Sequence, residues 1–503
     1  MSFAPSKYQT AILEFITNGK GSAIVEAVAG SGKTTTVMQC LQRIPANQSV
    51  LLLAFNKSIA TELGERAPAH VQVKTFHALG LNILTKKLGR CQIDSGKLNK
   101  VIKSVITDED DYRTLNTVVN QLVSKARAIG LMPDGIDGHG LLADTESNWA
   151  DMMEHFGIDA DVDDLSIVLQ YAREVIRTSI KMALNDLVID FDEMIYLHVF
   201  FGWAGWRNDW VFVDEAQDVS PVRIALLKLV IKSNGRMVAV GDSRQAIYGF
   251  TGADAKSMQT LQADFKAIKL PLSISYRCAQ SVVREAQKTM PTIEASSTAP
   301  EGSVTSPKDV TVEAFQKGDM IICRKNAPIV GLAFRLISKG IPARIMGRDI
   351  AGGLIVLIQK QKAKSLPNLV EKLDKWKAKE IAKWEKLDRP DMVETINDKF
   401  NCIHAVMDRS GVSSVDKLVS AIDTMFDKAS EETAKANNSV VTLCSIHKSK
   451  GLESDTVWFL DNEIIPLKSA RKDWQLEQES NLRYVGVTRA KTALKYISSE
   501  AIK

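Results

Sequence analysis

The chain has 503 residues, 45% apolar and 25% charged, proportions ordinary for a soluble globular protein but a length beyond one core, pointing to roughly three or four domains. A net charge of +4 neither requires a nucleic-acid partner nor excludes one, because a basic groove can sit inside a near-neutral total. Cys40, Cys91, Cys278, Cys323, Cys402 and Cys444 form no C-x-x-C pair or zinc-like spacing, and read as reduced, mostly buried thiols. The first residues carry no apolar export core and no apolar run reaches about 18 residues, so a soluble, intracellular protein is expected.

Short β-rich runs recur at 22–28, 49–55, 71–76, 210–214 and 236–241. A second set lies at 267–274, 320–323, 341–346, 440–446, 455–460 and 493–498. Many are continuously apolar, the pattern of parallel strands buried on both faces, and helical segments separate several of them. The expectation is an α/β protein with two units, each built on a parallel sheet. Residues 81–189 read mainly helical, with acidic loops at Thr107–Asp111 and Asp159–Asp164, and 351–438 also read helical. Both are taken as insertions, giving 1–80 with 190–265 as one unit and 266–350 with 439–503 as the other. Ser296–Pro307 reads as a loop. Residues 360–389 carry nine Lys and one Arg against five acids. There Leu373, Trp376, Ile381 and Trp384 favour an amphipathic helix with a core-facing stripe; a basic surface against duplex DNA is the alternative.

Two segments carry the chemistry. Ala29-Gly30-Ser31-Gly32-Lys33-Thr34 follows an apolar strand and should open a helix at Thr35. The glycines let backbone N–H groups face a β-phosphate, Lys33 neutralises the β/γ-phosphates, and the Thr34 hydroxyl ligates Mg²⁺. The first Gly of G-x-x-x-x-G-K-[ST] is Ala27 here. Far downstream, Val211–Asp218 ends a strand in Asp214 and Glu215, one acid to hold Mg²⁺ and one to polarise an attacking water. Gln245, in Val240–Gln245, is placed to sense a γ-phosphate or that water. Arg277 and Arg489 offer guanidinium forks from the other unit, although each taken singly reads more readily as a surface ion pair.

Together these segments resemble the UvrD/Rep-type superfamily 1 DNA helicases over most of the chain. The matches run in family order through Tyr8–Thr10, Ala29–Thr34, Leu53–Lys57, Lys74–His77 and Asp190–Glu193. They continue through Val213–Asp218, Gly241–Ala253, Ser275–Arg277, His447–Glu453 and Tyr484–Ala490. Phe-Asn-Lys-Ser and His-Lys-Ser-Lys-Gly-Leu-Glu are most similar to a compact branch with F-box DNA helicases and phage-encoded members. No F-box-sized region precedes the motifs, so a ubiquitin-ligase role does not carry over. The resemblance implies two RecA-like P-loop domains, with ATP between them and single-stranded DNA across their tops. It also implies that Gln9 reads the adenine edge, Tyr276 stacks on its face and Glu453 holds the ribose. Gly30, Ser31, Gly32, Lys33, Thr34 and Thr35 would bind phosphate, with Thr34 and Asp214 on the metal. Lys33, Asp214, Glu215, Gln245, Arg277 and Arg489 would form the catalytic group. Phe55, Asn56, Thr75, His77, Tyr248, Phe250 and His447 would meet the strand, where stacking suits a sequence-blind motor. Core packing is the competing reading for Phe55 and Tyr248.

The implied activity is an ATP- and Mg²⁺-dependent motor moving 3′→5′ on single-stranded DNA and unwinding duplexes at single/double-strand junctions. It would act as a monomer away from membranes, in the cytoplasm of a bacterial cell or phage-infected host, alongside replication or recombination proteins. Two departures bear on this. Thr251-Gly252-Ala253 stands where the family has Arg-Gly-Ala, removing one cationic contact. The 14 residues after Arg489 leave room for one strand, whereas larger relatives carry a strand-splitting hairpin, so weak strand separation is expected. A translocase that displaces proteins from single-stranded DNA, an RNA motor of the same superfamily, and a nucleotide-switched binding protein remain as alternatives.

Overall fold

A computed structural model describes residues 4–156, 158, 165–247, 256–386, 390–425 and 440–503. The chain divides into one unit of Met1–Ala27 with Gly32–Leu272, and a second of Val28–Ser31 with Ser273–Lys503.

The first unit holds strands β1 (Ala23–Ala27), β2 (Val50–Ala54), β3 (Val71–Thr75), β4 (Gln92–Ile93), β5 (Val188–Ile189), β6 (Asn208–Val213), β7 (Ile231–Gly241) and β8 (Ile268–Leu272). Six form one parallel sheet in the order β3-β2-β6-β7-β1-β8. The near-continuous apolar runs follow from burial on both faces. Val50, Leu52, Phe212 and Val238 enter a core with the helices Lys7–Asn18 and Lys33–Gln42. Alternate residues Leu51, Leu53, Val211 and Met237 face the other way, into a core shared with the helical stretch that follows β3. That stretch contains Lys97–Val105, Glu109–Ile129, Glu146–Phe156 and Leu165–Asn185, and the β4–β5 pair closes its base.

The second unit holds β9 (Ile274–Ser275), β10 (Glu294–Ala295), β11 (Ser303–Thr305), β12 (Met320–Cys323), β13 (Ala343–Ile345), β14 (Val441–Ser445), β15 (Ser454–Leu460) and β16 (Ala490–Ile497). Its six-stranded sheet runs β11-β16-β15-β12-β14-β13, again parallel, while β9 and β10 pair separately. Helices Asn326–Ser338, Leu366–Lys386 and Pro390–Ser410 pack on this sheet or on one another. Leu369 and Leu373 are buried and Trp376 packs on them, while Ile381 and Trp384 are half-buried. The lysine-rich segment therefore presents a core-facing stripe.

Four expectations change. The run at 267–274, assigned to the second unit, instead supplies β8 at the edge of the first sheet, paired to β1. Ser296–Pro307 is not all loop, since Ser303–Thr305 pairs with β16; edge pairing uses main-chain groups and needs no apolar pattern. The acids at 107–111 form a helix start: Asp108 accepts from the Asp110 and Asp111 amides, both at 2.9 Å, and first-turn acids favour the positive helix end. The helix after the glycine loop opens at Lys33 rather than Thr35, with Gly32 at φ 77° before it. Asp159–Asp164 lies outside the described residues. Among the described residues no helix is long and apolar enough to cross a membrane.

One close approach fixes the first unit's geometry near the strand ends. On the helix Phe76–Leu88, a Cβ at Gly80 would lie 1.7 Å from the Met194 carbonyl oxygen on the helix Glu193–Phe201. Gly80→Ala must push these helices apart and should cost about 1–3 kcal/mol. A fall in the urea midpoint at unchanged slope would register it; an unchanged midpoint would mean the contact is loose.

Candidate nucleotide site and strand-binding edge

Because the first sheet is parallel, its strands deliver their following residues to one edge, where open α/β sheets bind ligands. β1 leads into the glycine loop, β6 into Asp214 and Glu215, and β7 into Asp242 and Gln245. Lys33 Nζ lies 3.0 Å from Glu215 Oε1. Glu215 has φ 49°, a left-handed backbone that a non-glycine residue holds only when its surroundings demand it. Gln217 is the clamp: its Nε2 donates to Glu215 Oε2, and its Oε1 accepts the Asp242 amide at 3.0 Å. A Cβ on Gly241 would lie 2.5 Å from that same Oε1, so β7 needs glycine where it passes. Gln245 Nε2 donates to Asp242 Oδ2 at 2.7 Å.

Three carboxylates thus surround one ammonium. Burial works against the charge on Lys33, but Glu215, Asp214 and Asp242 outweigh it and hold the ammonium above its usual range. Burial, then the charge of Glu215, pushes Asp214 up to about 6. Burial also pushes Asp242 up to about 6, against the pull of Lys33. Carboxylates held out of their ordinary range by burial suit a divalent cation, and Thr34 stands half-buried in the first turn beyond the loop. Thr35 is half-buried beside it. Gln9 reaches the same helix, its Nε2 donating to Thr36 Oγ1 at 3.1 Å while its Oε1 accepts the Ser6 amide.

In the second unit the stretch Val28–Ser31 is held by main-chain contacts. The Ala29 amide donates to the Tyr484 hydroxyl at 3.0 Å, and the Tyr276 amide donates to the Gly30 carbonyl at 2.8 Å. Gly30 has φ 71°, and a Cβ there would lie 2.4 Å from Arg277 Cβ. The Ser31 hydroxyl is buried without a hydrogen-bond partner among the described residues, an open position for a ligand oxygen. Arg277 Nε lies 2.7 Å from Glu453 Oε2, and Lys491 Nζ stands 3.5 Å from Glu453 Oε1. Glu453, the expected ribose ligand, is thus paired to two cations here. Arg489 is buried; it donates to the Val485 and Leu452 carbonyls at 2.9 and 3.0 Å and to Thr488 Oγ1 at 3.3 Å. Burial, with the Arg277 charge beside it, pulls its guanidinium down to about 10, still cationic at neutral pH. The Tyr276 ring is half-exposed.

The strand candidates of the first unit sit on its same edge, beyond β2 and β3. Phe55 is 40% exposed. Asn56 caps the helix Lys57–Arg66 through the Ile59 amide at 2.9 Å, and Thr75 caps Phe76–Leu88 through the Ala78 amide at 3.1 Å. Each has structural work and retains a donor. His77 meets Phe191 edge to face, with ring centroids 6.1 Å apart. Phe191 is 51% exposed and lies inside the Asp190–Glu193 motif, where its sequence position alone gives it no role. Gln217, inside Val213–Asp218, is in the same position. An aromatic between two acids, where solvent exposure is expected, is the sequence signal for Phe191; Gln217 gives none before its partners are placed. In the second unit His447 follows β14 and is half-buried. Tyr248, Phe250 and Thr251–Ala253 lie outside the described residues.

A parallel sheet whose strand ends carry a glycine loop into a helix, and an adjacent acid pair facing the loop lysine, defines the P-loop nucleotide-binding class. Residues 8–266 match the UvrD/REP helicase N-terminal domain and 356–501 the UvrD-like helicase C-terminal domain; the chain belongs to the UvrD/REP helicase family. It is 24% identical to the ATP-dependent DNA helicase Rep of Escherichia coli strain K12, over 57% of this chain and 43% of that protein. Against F-box DNA helicase protein 1 of Schizosaccharomyces pombe it is 24% identical over 93% of this chain and 55% of that protein. DNA helicase IV of Escherichia coli strain K12 is 28% identical over 52% and 44%. The chain spans about half the length of these curated relatives.

The two histidines are neutral in the folded protein. Burial, then the nearby Arg223, pulls His77 down to about 4; burial, then Arg324 and Lys448, pulls His447 down to about 3. Since the folded value of His77 lies below its ordinary 6.5, it imposes no penalty above that pH. The penalty grows as pH falls from 6.5 through 4, because the unfolded chain then binds the extra proton. His77→Asn should therefore gain about 2 kcal/mol on the wild type between pH 7 and pH 4.5. Chemical denaturation at both values measures it, and an equal gap at both would remove imidazole charging as the cause.

Proposed function

We propose that this protein is an ATP-driven motor on single-stranded DNA that moves 3′→5′ and unwinds duplexes entered from a 3′ tail. The observation that carries the reading is the single edge of the first sheet. There the Lys33–Glu215 pair and the Asp214 and Asp242 carboxylates rise from strands β1, β6 and β7, while Phe55 and the His77–Phe191 pair rise beside β2 and β3. Polarity is taken from the family. ATP, bound with Mg²⁺, supplies the γ-phosphoryl group whose hydrolysis drives the cycle.

In this reading Gly30–Thr35 hold the phosphates, and Thr34 and Asp214 hold Mg²⁺. Gln9 and Tyr276 hold the base, and Glu453 the ribose once released from Arg277. Glu215 takes the proton of the attacking water and Gln245 orients that water. Arg277 and Arg489 answer the developing charge, as cations do in phosphoryl transfer. Phe55, His77 and His447, with Tyr248 and Phe250, stack on bases, and Asn56 and Thr75 touch the backbone. Residues 81–189 and 351–438 are insertions in the two RecA-like units. The motor acts as a cytoplasmic monomer at single/double-strand junctions.

DNA-stimulated ATP hydrolysis is the first test. Lys33→Ala should lower turnover about 10²–10³-fold, and Glu215→Gln should bind ATP but hydrolyse it as poorly. Single-turnover unwinding of 3′- and 5′-tailed duplexes tests the remainder: separation of the 3′-tailed substrate alone is expected, and preference for the 5′ tail overturns the polarity.

A further inference from the structure

A cluster of buried charges lies in the first unit, outside the nucleotide site. Lys97 opens the helix Lys97–Val105, Arg127 ends Glu109–Ile129, and Ser179 sits in Leu165–Asn185. All three converge on the turn Asp190–Glu193, between β5 and the helix Glu193–Phe201. Lys97 Nζ donates to Glu193 Oε1 and Oε2 at 2.8 and 2.6 Å and to the Ser179 carbonyl at 2.8 Å. The Ser179 hydroxyl donates to Glu193 Oε1 at 2.7 Å. Arg127 Nη1 donates to Asp190 Oδ2 at 2.7 Å, and its Nη2 stands 3.8 Å from Glu193 Oε1. Within the turn, the Asp190 amide donates to Glu193 Oε2 and the Glu193 amide to Asp190 Oδ1, at 2.8 and 2.9 Å.

The four charges balance, yet Lys97, Arg127 and Glu193 are at most 1% exposed. Arg127 Nε and the Tyr196 hydroxyl have no hydrogen-bond partner among the described residues. A buried, incompletely satisfied ion cluster gains little over apolar packing of the same volume; what it supplies is one fixed geometry. The residue this geometry presents is Phe191. It projects from the middle of the turn, half-exposed, with its ring against His77.

We propose that Arg127 and Lys97 are positioning residues: by locking the Asp190–Glu193 turn they hold Phe191 beside His77, so that the helical stretch 97–185 sets the stacking platform of the strand-binding edge. This rests on reading that edge as the nucleic-acid site.

The test uses the full chain, oligothymidylate as probe, and two readouts: the oligonucleotide concentration giving half-maximal ATPase stimulation, and direct binding by anisotropy. Phe191→Ala should raise both about tenfold, in line with the loss of one base stack. Arg127→Met/Asp190→Asn removes a charge pair together and should raise them about three- to tenfold, and Arg127→Lys should recover most of the loss. The deciding measurement is the combination with Phe191→Ala: if Arg127 acts through the ring, the combined protein binds no more weakly than Phe191→Ala alone. Additive losses would overturn the proposal, as would an Arg127→Met/Asp190→Asn protein that melts lower but binds normally. Should that pair fail to fold, Lys97→Met/Glu193→Gln, which removes the other charge pair together, forms the same cycle against Phe191→Ala: losses that do not add support the proposal, and additive losses overturn it. Normal binding by Phe191→Ala would also overturn it while leaving a DNA-stimulated wild type as a motor; a wild type that does not respond to DNA would sink the functional reading itself.

Discussion

The first unit's site is organised by a charge imbalance: one ammonium, Lys33, faces Asp214, Glu215 and Asp242. Burial disfavours the charged form of a carboxylate, and Asp214 and Asp242 are pushed up to about 6 chiefly by it, while Glu215 holds its place with a left-handed backbone. The Gln217 amide then locks the arrangement by bonding Glu215 on one side and the Asp242 backbone on the other. A site held in this condition favours whatever brings positive charge to the carboxylates while giving Lys33 a new anionic partner. Under the proposed function, a magnesium–nucleotide complex does both.

Most of the strands could be read directly, because parallel sheets bury both faces and their strands are continuous apolar runs. Leu51–Leu53 and Ile321–Cys323 are runs of this kind. The glycine loop and acid pair were legible because their chemistry dictates residue type and spacing. What escaped depends on partners distant in sequence. Ile268–Leu272 looks like any second-unit strand until β1 is seen beside it. Ser303–Thr305 has no apolar signature because it needs only the main chain of β16. The acids 108–111 suggest a loop by composition, whereas the Asp108 cap and helix polarity make them a start signal. Phe191 and Gln217 lie inside recognisable motifs, but their uses depend on His77 and on Asp242.

The two histidines show how environment selects a role. Ionised imidazoles would add salt-dependent contacts to phosphate. Burial holds both His77 and His447 neutral, so any contact they make is through the ring face or a single N–H. That matches an edge where Phe55 and Phe191 expose rings rather than charges, the surface that the proposed stacking on bases requires. Under the proposed function, cationic attraction to a strand then has to come from exposed lysines and arginines elsewhere.

Under the proposed function, nucleotide chemistry and strand grip are separated in the first unit by a single strand spacing. The Asp214 amide donates to the Leu53 carbonyl at 2.9 Å, and Phe55 follows two residues later. β2 and β6 are adjacent, about 4.8 Å apart, and their register pairs Leu53 with Val213. The connection from Asp214 to the peptide carrying Phe55 therefore runs through main-chain atoms, without passing through a flexible side chain. On the far side of β2, β3 pairs residue for residue up to Ala54 and Thr75, and Thr75 caps the helix that bears His77. Main-chain pairing thus links the peptides that carry Asp214, Phe55 and Thr75 across three adjacent strands. Phe191 reaches this edge on the Asp190–Glu193 turn, outside the sheet, so strand pairing does not fix its place beside His77; the contacts that hold that turn are those of the buried ion cluster.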